Sequence, residues 1–159
     1  MRFLNDNDYS ALIRYEIIEI LLQDDKYINL PEDEKEAYAE MKQSTAEDMA
    51  IAQIKNYLFG RYDTTAIFTP LPDQNSTDFR NAHIVMCTID CTLYHLYSSL
   101  APNKIPQHRS DRYQDVLNWL KDVYRGNAPA DLPKKKDDKG TSNTGIKISS
   151  EYPNEDNRW

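Results

Sequence analysis

The chain has 159 residues, a formal charge of −7 at pH 7 and a pI near 4.9. That length fits one domain of ordinary size plus an appendage. The acidic balance disfavours nucleic-acid binding, which rests on Lys and Arg neutralising phosphates. The N-terminus lacks the apolar core of a signal peptide, and no apolar run approaches the ~20 residues of a membrane span.

Asn5, Asp6 or Asp8 can cap a first helix whose apolar face is Tyr9, Leu12 and Ile13. Residues 14–23 carry Ile17, Ile18, Ile20, Leu21 and Leu22, a second short helix or a continuation of the first. Asp24-Asp25-Lys26 is a polar break. Pro31 suits a first helical position, and Glu32, Asp33, Glu34 and Glu36 suit the positive end of a helix dipole. Tyr38, Met41, Thr45, Met49, Ile51, Ile54, Tyr57 and Leu58 then mark the apolar face of one long helix ending near residues 60–62. Ser44 with Glu47 has the capping-box pattern, so a break near residue 44 is the alternative. Residues 63–77 contain Pro70 and Pro72 and read as a long inter-helix loop. Its start is apolar for a connector. Ile67 and Phe68 are expected to pack on a neighbouring subunit, with burial beneath their own domain as the alternative.

Residues 78–100 are the element the rest should pack around. Ala82, Val85, Met86, Ile89, Leu93, Leu96, Tyr97 and Leu100 form a helical stripe, and the opposite face carries Cys87, Thr88, Cys91, Thr92 and Tyr94. A helix apolar nearly all round belongs in a core. Asp90 sits in its middle. A buried carboxylate needs a partner, so it should form a structural ion pair, first with Arg112 and next with Arg61, Arg109 being a further candidate. After a turn at residues 101–104, a last helix over residues 106–124 presents Tyr113, Val116, Leu117, Leu120 and Val123, and Gly126 is a plausible stop.

Beyond residue 127 the composition holds almost nothing able to build a core. The domain therefore spans residues 1–132 and a C-terminal tail residues 133–159. Lys134-Lys135-Lys136 is the one basic run, followed at once by Asp137 and Asp138. Residues 145–149 alternate apolar and polar, the pattern of a short strand without a partner in this chain. Ile146 and Ile148, with the large aromatics Tyr152 and Trp159, are expected to dock an extended arm, leaving the helices from about Asn127, onto a neighbouring subunit or another protein.

Four constellations could carry chemistry. His83, Cys87, Cys91 and His95 recur every four residues, but a straight helix spreads such a set over about 18 Å, so no single ion meets all four. They read as small core thiols with marginal histidines, and the spacing of the two cysteines makes a disulfide geometrically poor. The carboxylates Glu16 and Glu19, or Glu32 to Glu36, suit exposed faces and a helix start. There is no Gly-x-Ser-x-Gly elbow, and four glycines leave no phosphate-cradling loop. The cluster from His108 to Tyr113 is a binding surface or, more simply, a helix start capped by Asp111. No catalytic, cofactor or metal site follows from these residues.

A family resemblance covers residues 3–133. It rests on Asp8-Tyr9 leading into Ile13-Arg14 and Glu16-Ile17, and on Ile54-Lys55-Asn56-Tyr57-Leu58 with Arg61-Tyr62-Asp63. Asp90 with Tyr94-His95-Leu96 follows, then Ile105-Pro106 and Arg109 to Tyr113 with Leu117 and Trp119-Leu120. In this order and spacing they resemble the phage Mu-like connector family (DUF1320), in a form seen in Bacteroidetes phages and prophages. The resemblance implies a helical head-completion or head–tail adaptor protein of the virion neck. Such a protein would be made in the host cytoplasm and would form a ring, dodecameric by analogy, between the portal protein and the next neck or tail component. It implies no enzyme, cofactor or membrane. The expected architecture is an all-α bundle of about four to five helices. A cytosolic helical scaffold or regulatory module is the alternative from another class. The acidic balance suits a basic partner surface or a ring lumen repelling passing DNA.

Overall fold

A computed structural model describes residues 2–71 and 77–136. Its described residues form α1 (Asp6–Ser10), α2 (Tyr15–Leu22), α3 (Asp25–Ile28), α4 (Glu32–Leu58), α5 (Thr64–Ile67), α6 (Ala82–Leu100), a 3-10 turn (Pro102–Lys104) and α7 (Gln107–Arg125). The protein is all-α. Four helices have eight residues or more, and the three short ones, of four or five residues, take the helix number beyond the four or five expected.

Local chemistry sets the boundaries. Asn5 and Asp8 form a reciprocal capping box on α1, and Asp24 accepts from the Tyr27 N–H to start α3. α3 occupies what reads in sequence as a polar break: Asp24 and Asp25 there act as helix starters. Asp63 caps α5 inside the expected loop, accepting from Thr65 and Ala66 at 3.0 and 3.1 Å. Asn81 caps α6 through the N–H groups of His83 and Ile84. α7 ends at Gly126, whose φ of 83° is the left-handed conformation that glycine adopts without strain. Asp111 does not cap α7. That helix begins at Gln107, and Asp111 instead accepts from the Gln107 amide one turn earlier.

α4, α6 and α7 make the core. Gln53 contacts both His95 and Tyr113, while Arg61 abuts Gly126, so α6 runs antiparallel to α4 and α7 parallel to it. α6 is buried on all sides through its middle, from Cys87 to Leu93. Its hydroxyls survive burial because Thr88 and Thr92 donate to carbonyls four residues back. Ile84, Ile89, Leu93 and Leu96 interlock there with Ile54, Leu58, Leu120 and Val123. Each fully buried aliphatic of this kind contributes roughly 1.5–3 kcal/mol.

α4 is one unbroken helix; Ile54 and Leu58 are buried as expected, but the earlier part of its buried face is not the expected one. Gln43, Ala46, Glu47, Ala50, Ile54 and Leu58 face inward, whereas Met41 and Met49 are each 53% exposed. Ile67 and Phe68 are also corrected: they are 5% and 7% exposed inside their own domain. Phe68 sets its ring edge against Phe3 at 5.1 Å, beneath the Lys55 ammonium. The short helix α5 turns them inward, a device with too few residues to show periodicity.

The first part of the expected arm is corrected as well. Residues 127–136 do not leave the domain but run back across the end of α4. Asp63 N–H donates to Pro133 O at 2.8 Å, Lys135 N–H to Arg61 O at 3.1 Å, and Leu132 is buried. Ile146, Ile148, Tyr152 and Trp159 lie outside the described residues.

Candidate functional site

Three buried ion-pair clusters, centred on Asp90, Glu47 and Arg80, interrupt the apolar core. Asp90, on α6, is 3% exposed and accepts from Arg112 Nε and Nη2 at 2.7 and 2.8 Å. Arg112 reaches it because α7 crosses α6 antiparallel, and planar guanidinium matches planar carboxylate in a two-point bond. Arg109, one turn earlier on α7, approaches Asp90 at 4.0 Å and donates to Leu12 O, leaving its Nε without a partner. Arg61 is not near Asp90; it lies at the end of α4 beside Gly126.

The other two groups were hidden in the sequence. Glu47 is buried on α4 and accepts from Arg2 and from the Tyr9 hydroxyl. Burial and this carboxylate push the Tyr9 phenol well above its ordinary range. Arg80, just before α6, donates to Asp8, to Asp78 and to the Phe3 carbonyl. Both clamp residues 2–10 onto the bundle. Their partners lie 38 to 77 positions apart, a separation that helical periodicity does not report.

The four-residue His/Cys spacing builds no metal centre. His83 Nε2 lies 3.7 Å from Cys87 Sγ, but His83 also sets its ring against Trp119, and His95 meets Gln53. Burial pushes both thiols up to about 12, which leaves them protonated and unreactive near neutrality. Among the described residues no group of three His, Cys, Asp or Glu side chains is placed to share a metal ion. No helix among them is long and apolar enough to cross a membrane.

What the fold offers is surface. α7 meets α4 at Gln53, while Leu21 and Asp24, flanking the end of α2, reach the earlier part of α4 at Tyr38 and Lys42; the middle of α4 faces the last turns of α6. Between them runs a groove of about 460 Å³, lined by Tyr38, Met41, Met49, His95 and Leu96, with Lys42 at its edge. Burial holds the His95 imidazole below its ordinary pKa, so its ring is predominantly neutral at pH 7 and adds to the apolar wall. Such a groove suits a protein segment, since flexible methionines adapt to the shape of what enters. The sequence reading missed it by assigning Met41 and Met49 to the core.

Searches of curated proteins and of solved structures returned no match. A family model described as Bacteriophage Mu, Gp36 matches residues 14–148, from the start of α2 through α7 and beyond. The matched span contains the Asp90–Arg112 pair, the methionine groove and all three core helices. This chain belongs to the bacteriophage Mu Gp36 family.

Proposed function

We propose that this chain is a non-enzymatic structural protein of the phage virion, placed in the neck as a head–tail connector. In this role it forms a ring on the portal and joins it to the next neck or tail component. Membership of a phage protein family across residues 14–148 carries the reading. An all-helical bundle, with its buried charges used for internal clamps and an open apolar groove on its surface, suits a protein that works by contact. Ile146, Ile148, Tyr152 and Trp159 supply a second contact to a neighbouring neck protein.

Co-expression with the portal protein and mass determination of the purified product tests this. The expected result is a ring-sized complex containing both chains. Deleting residues 137–159 should weaken that capture while the helical domain stays folded. A monomer that ignores the portal and carries tightly bound zinc would overturn the reading.

A further inference from the structure

The alternating run Gly145-Ile146-Lys147-Ile148-Ser149 has no strand to pair with when the sequence alone is read. The fold supplies one. Residues 133–135 lie antiparallel against residues 61–63, with Tyr62 opposite Lys134. Asp63 N–H donates to Pro133 O and Lys135 N–H to Arg61 O, so residues 133 and 135 point their bonding groups inward. In such a ladder the residue between turns its own N–H and C=O the other way, so those of Lys134 face away from Tyr62. Among the described residues neither has a backbone partner.

This outer edge has a definite character. The Lys135 ammonium stands 5.7 Å from the centre of the Phe59 ring, so the Lys135 side of the strand looks onto a large aromatic that is 56% exposed. Exposed Arg61, Lys134, Lys135 and Lys136 outnumber the nearby acids, Asp63 and exposed Asp131. Residues 137–159 hold five acidic and three basic side chains, the opposite balance.

Reach, pattern and family span all point to residues 145–149 as what covers it. Eight residues, 137–144, separate them from Lys136, and Gly140, Ser142 and Asn143 among these suit a turn. Crossing to a neighbouring strand takes only about 4.8 Å. Ile146 and Ile148 project from one face of a strand. A register that lays them on the Lys135 side covers Phe59, whereas a slip of one residue turns both into water. The family model runs through residue 148, so residues 137–148 belong to the shared domain rather than to a private tail.

We propose that residues 145–149 add as a third antiparallel strand to the outer edge at Lys134, with Ile146 and Ile148 over Phe59, latching the tail onto its own domain before assembly. A bare edge invites pairing with other chains, and a third strand removes that liability. A two-stranded ladder is marginal by itself, so the added strand also steadies residues 127–136 across the end of α4. The latch rests on the connector reading only for its release. Under that reading Ile146 and Ile148 serve a neighbouring neck protein, so docking there and pairing here are alternatives for the same side chains. The free chain thus keeps its docking arm folded away until a partner competes for it.

Amide exchange and cross-linking on the full-length chain test it. The Lys134 N–H should exchange about tenfold more slowly in the unaltered chain than in one carrying Ile146→Asp and Ile148→Asp. Combined with Phe59→Cys, either Ile146→Cys or Ile148→Cys should close a disulfide within one chain, and Lys147→Cys, on the opposite face, should not. Cys87 and Cys91 are buried with their thiols held protonated, so they do not compete. Equal exchange in the two chains, or cross-linking that ignores the alternation, overturns the proposal. So does a disulfide that joins two copies, since the edge then takes a neighbour's strand. All these readouts are on the free chain. A chain without the latch that still captures the portal leaves the connector reading standing, and a latched chain that ignores the portal removes that reading alone.

Discussion

Arg112 meets Asp90 with both oxygens engaged, yet the two side chains live in different media: Asp90 is 3% exposed and Arg112 38%. The guanidinium closes the opening through which water would otherwise reach the carboxylate. Arg112→Ala strands a buried charge, with Arg109 at 4.0 Å as partial compensation. We expect a loss of about 3 kcal/mol, the lower end for a broken buried pair. Arg112→Lys should recover part of it, since an ammonium cannot span both oxygens. Urea denaturation measures both, and unchanged midpoints would remove the pair from any structural role.

Arg80 should matter at least as much. Its side chain is 1% exposed and holds Asp8, Asp78 and the Phe3 carbonyl together. Arg80→Ala leaves Asp8 with only the Asn5 N–H and that carbonyl without its donor, which should cost about 3–5 kcal/mol. Hydrogen exchange should show the loss first in α1. Protection of residues 2–13 equal to that of the unaltered chain would contradict this.

The core makes a sharper comparison. Ile89 and Leu93 are 1% and 0% exposed, so Ile89→Ala and Leu93→Ala should each cost about 2–5 kcal/mol. Met49→Ala, at a 53% exposed position the sequence suggests is equally internal, should change stability by less than about 0.5 kcal/mol. Thermal unfolding of the three variants decides whether α4 faces the way described.

Acid sensitivity should trace in part to Asp24. The Tyr27 N–H, with help from Lys42 and Tyr38, holds its carboxyl down at about 2, against roughly 3.9 for an unfolded aspartate. A depressed folded pKa contributes stability that is present above pH ~4 and is lost as pH falls toward 2. Asp24→Asn can still cap α3 but cannot titrate. The variant should be less stable at pH 7 and should show a shallower decline between pH 4 and 2. Parallel stability curves across that window would contradict the assignment.

The fold class was legible because α6 is apolar on every side and α7 amphipathic, signals that need no knowledge of the tertiary arrangement. The Asp90–Arg112 partnership could be anticipated for a related reason, since a lone carboxylate in an apolar helix demands a cation. α4 was harder. Its inward face holds Gln43 and Glu47 while methionines face out, so ranking residues by hydrophobicity places Ile54 and Leu58 correctly but misses the inward face before them. Glu47 is tolerated inside only because Arg2 and Tyr9 reach it from far along the chain. Ile67 and Phe68 misled for the same reason, since the pocket that receives them is built partly from Phe3. The groove was invisible because it exists only where the middle of α4 faces the last turns of α6.

The clamps on residues 2–10 also bear on the order in which the domain can fold. Arg2 and Tyr9 wait for Glu47, and Asp8 waits for Arg80, so this segment cannot lock until residues 47 and 80 have been synthesised. Until then Phe3, Leu4 and Tyr9, all buried in the finished domain, stay open to other contacts. Residues 2–10 are thus secured only after residues up to 77 places further along the chain are in position, so closure at this edge is a late event of folding.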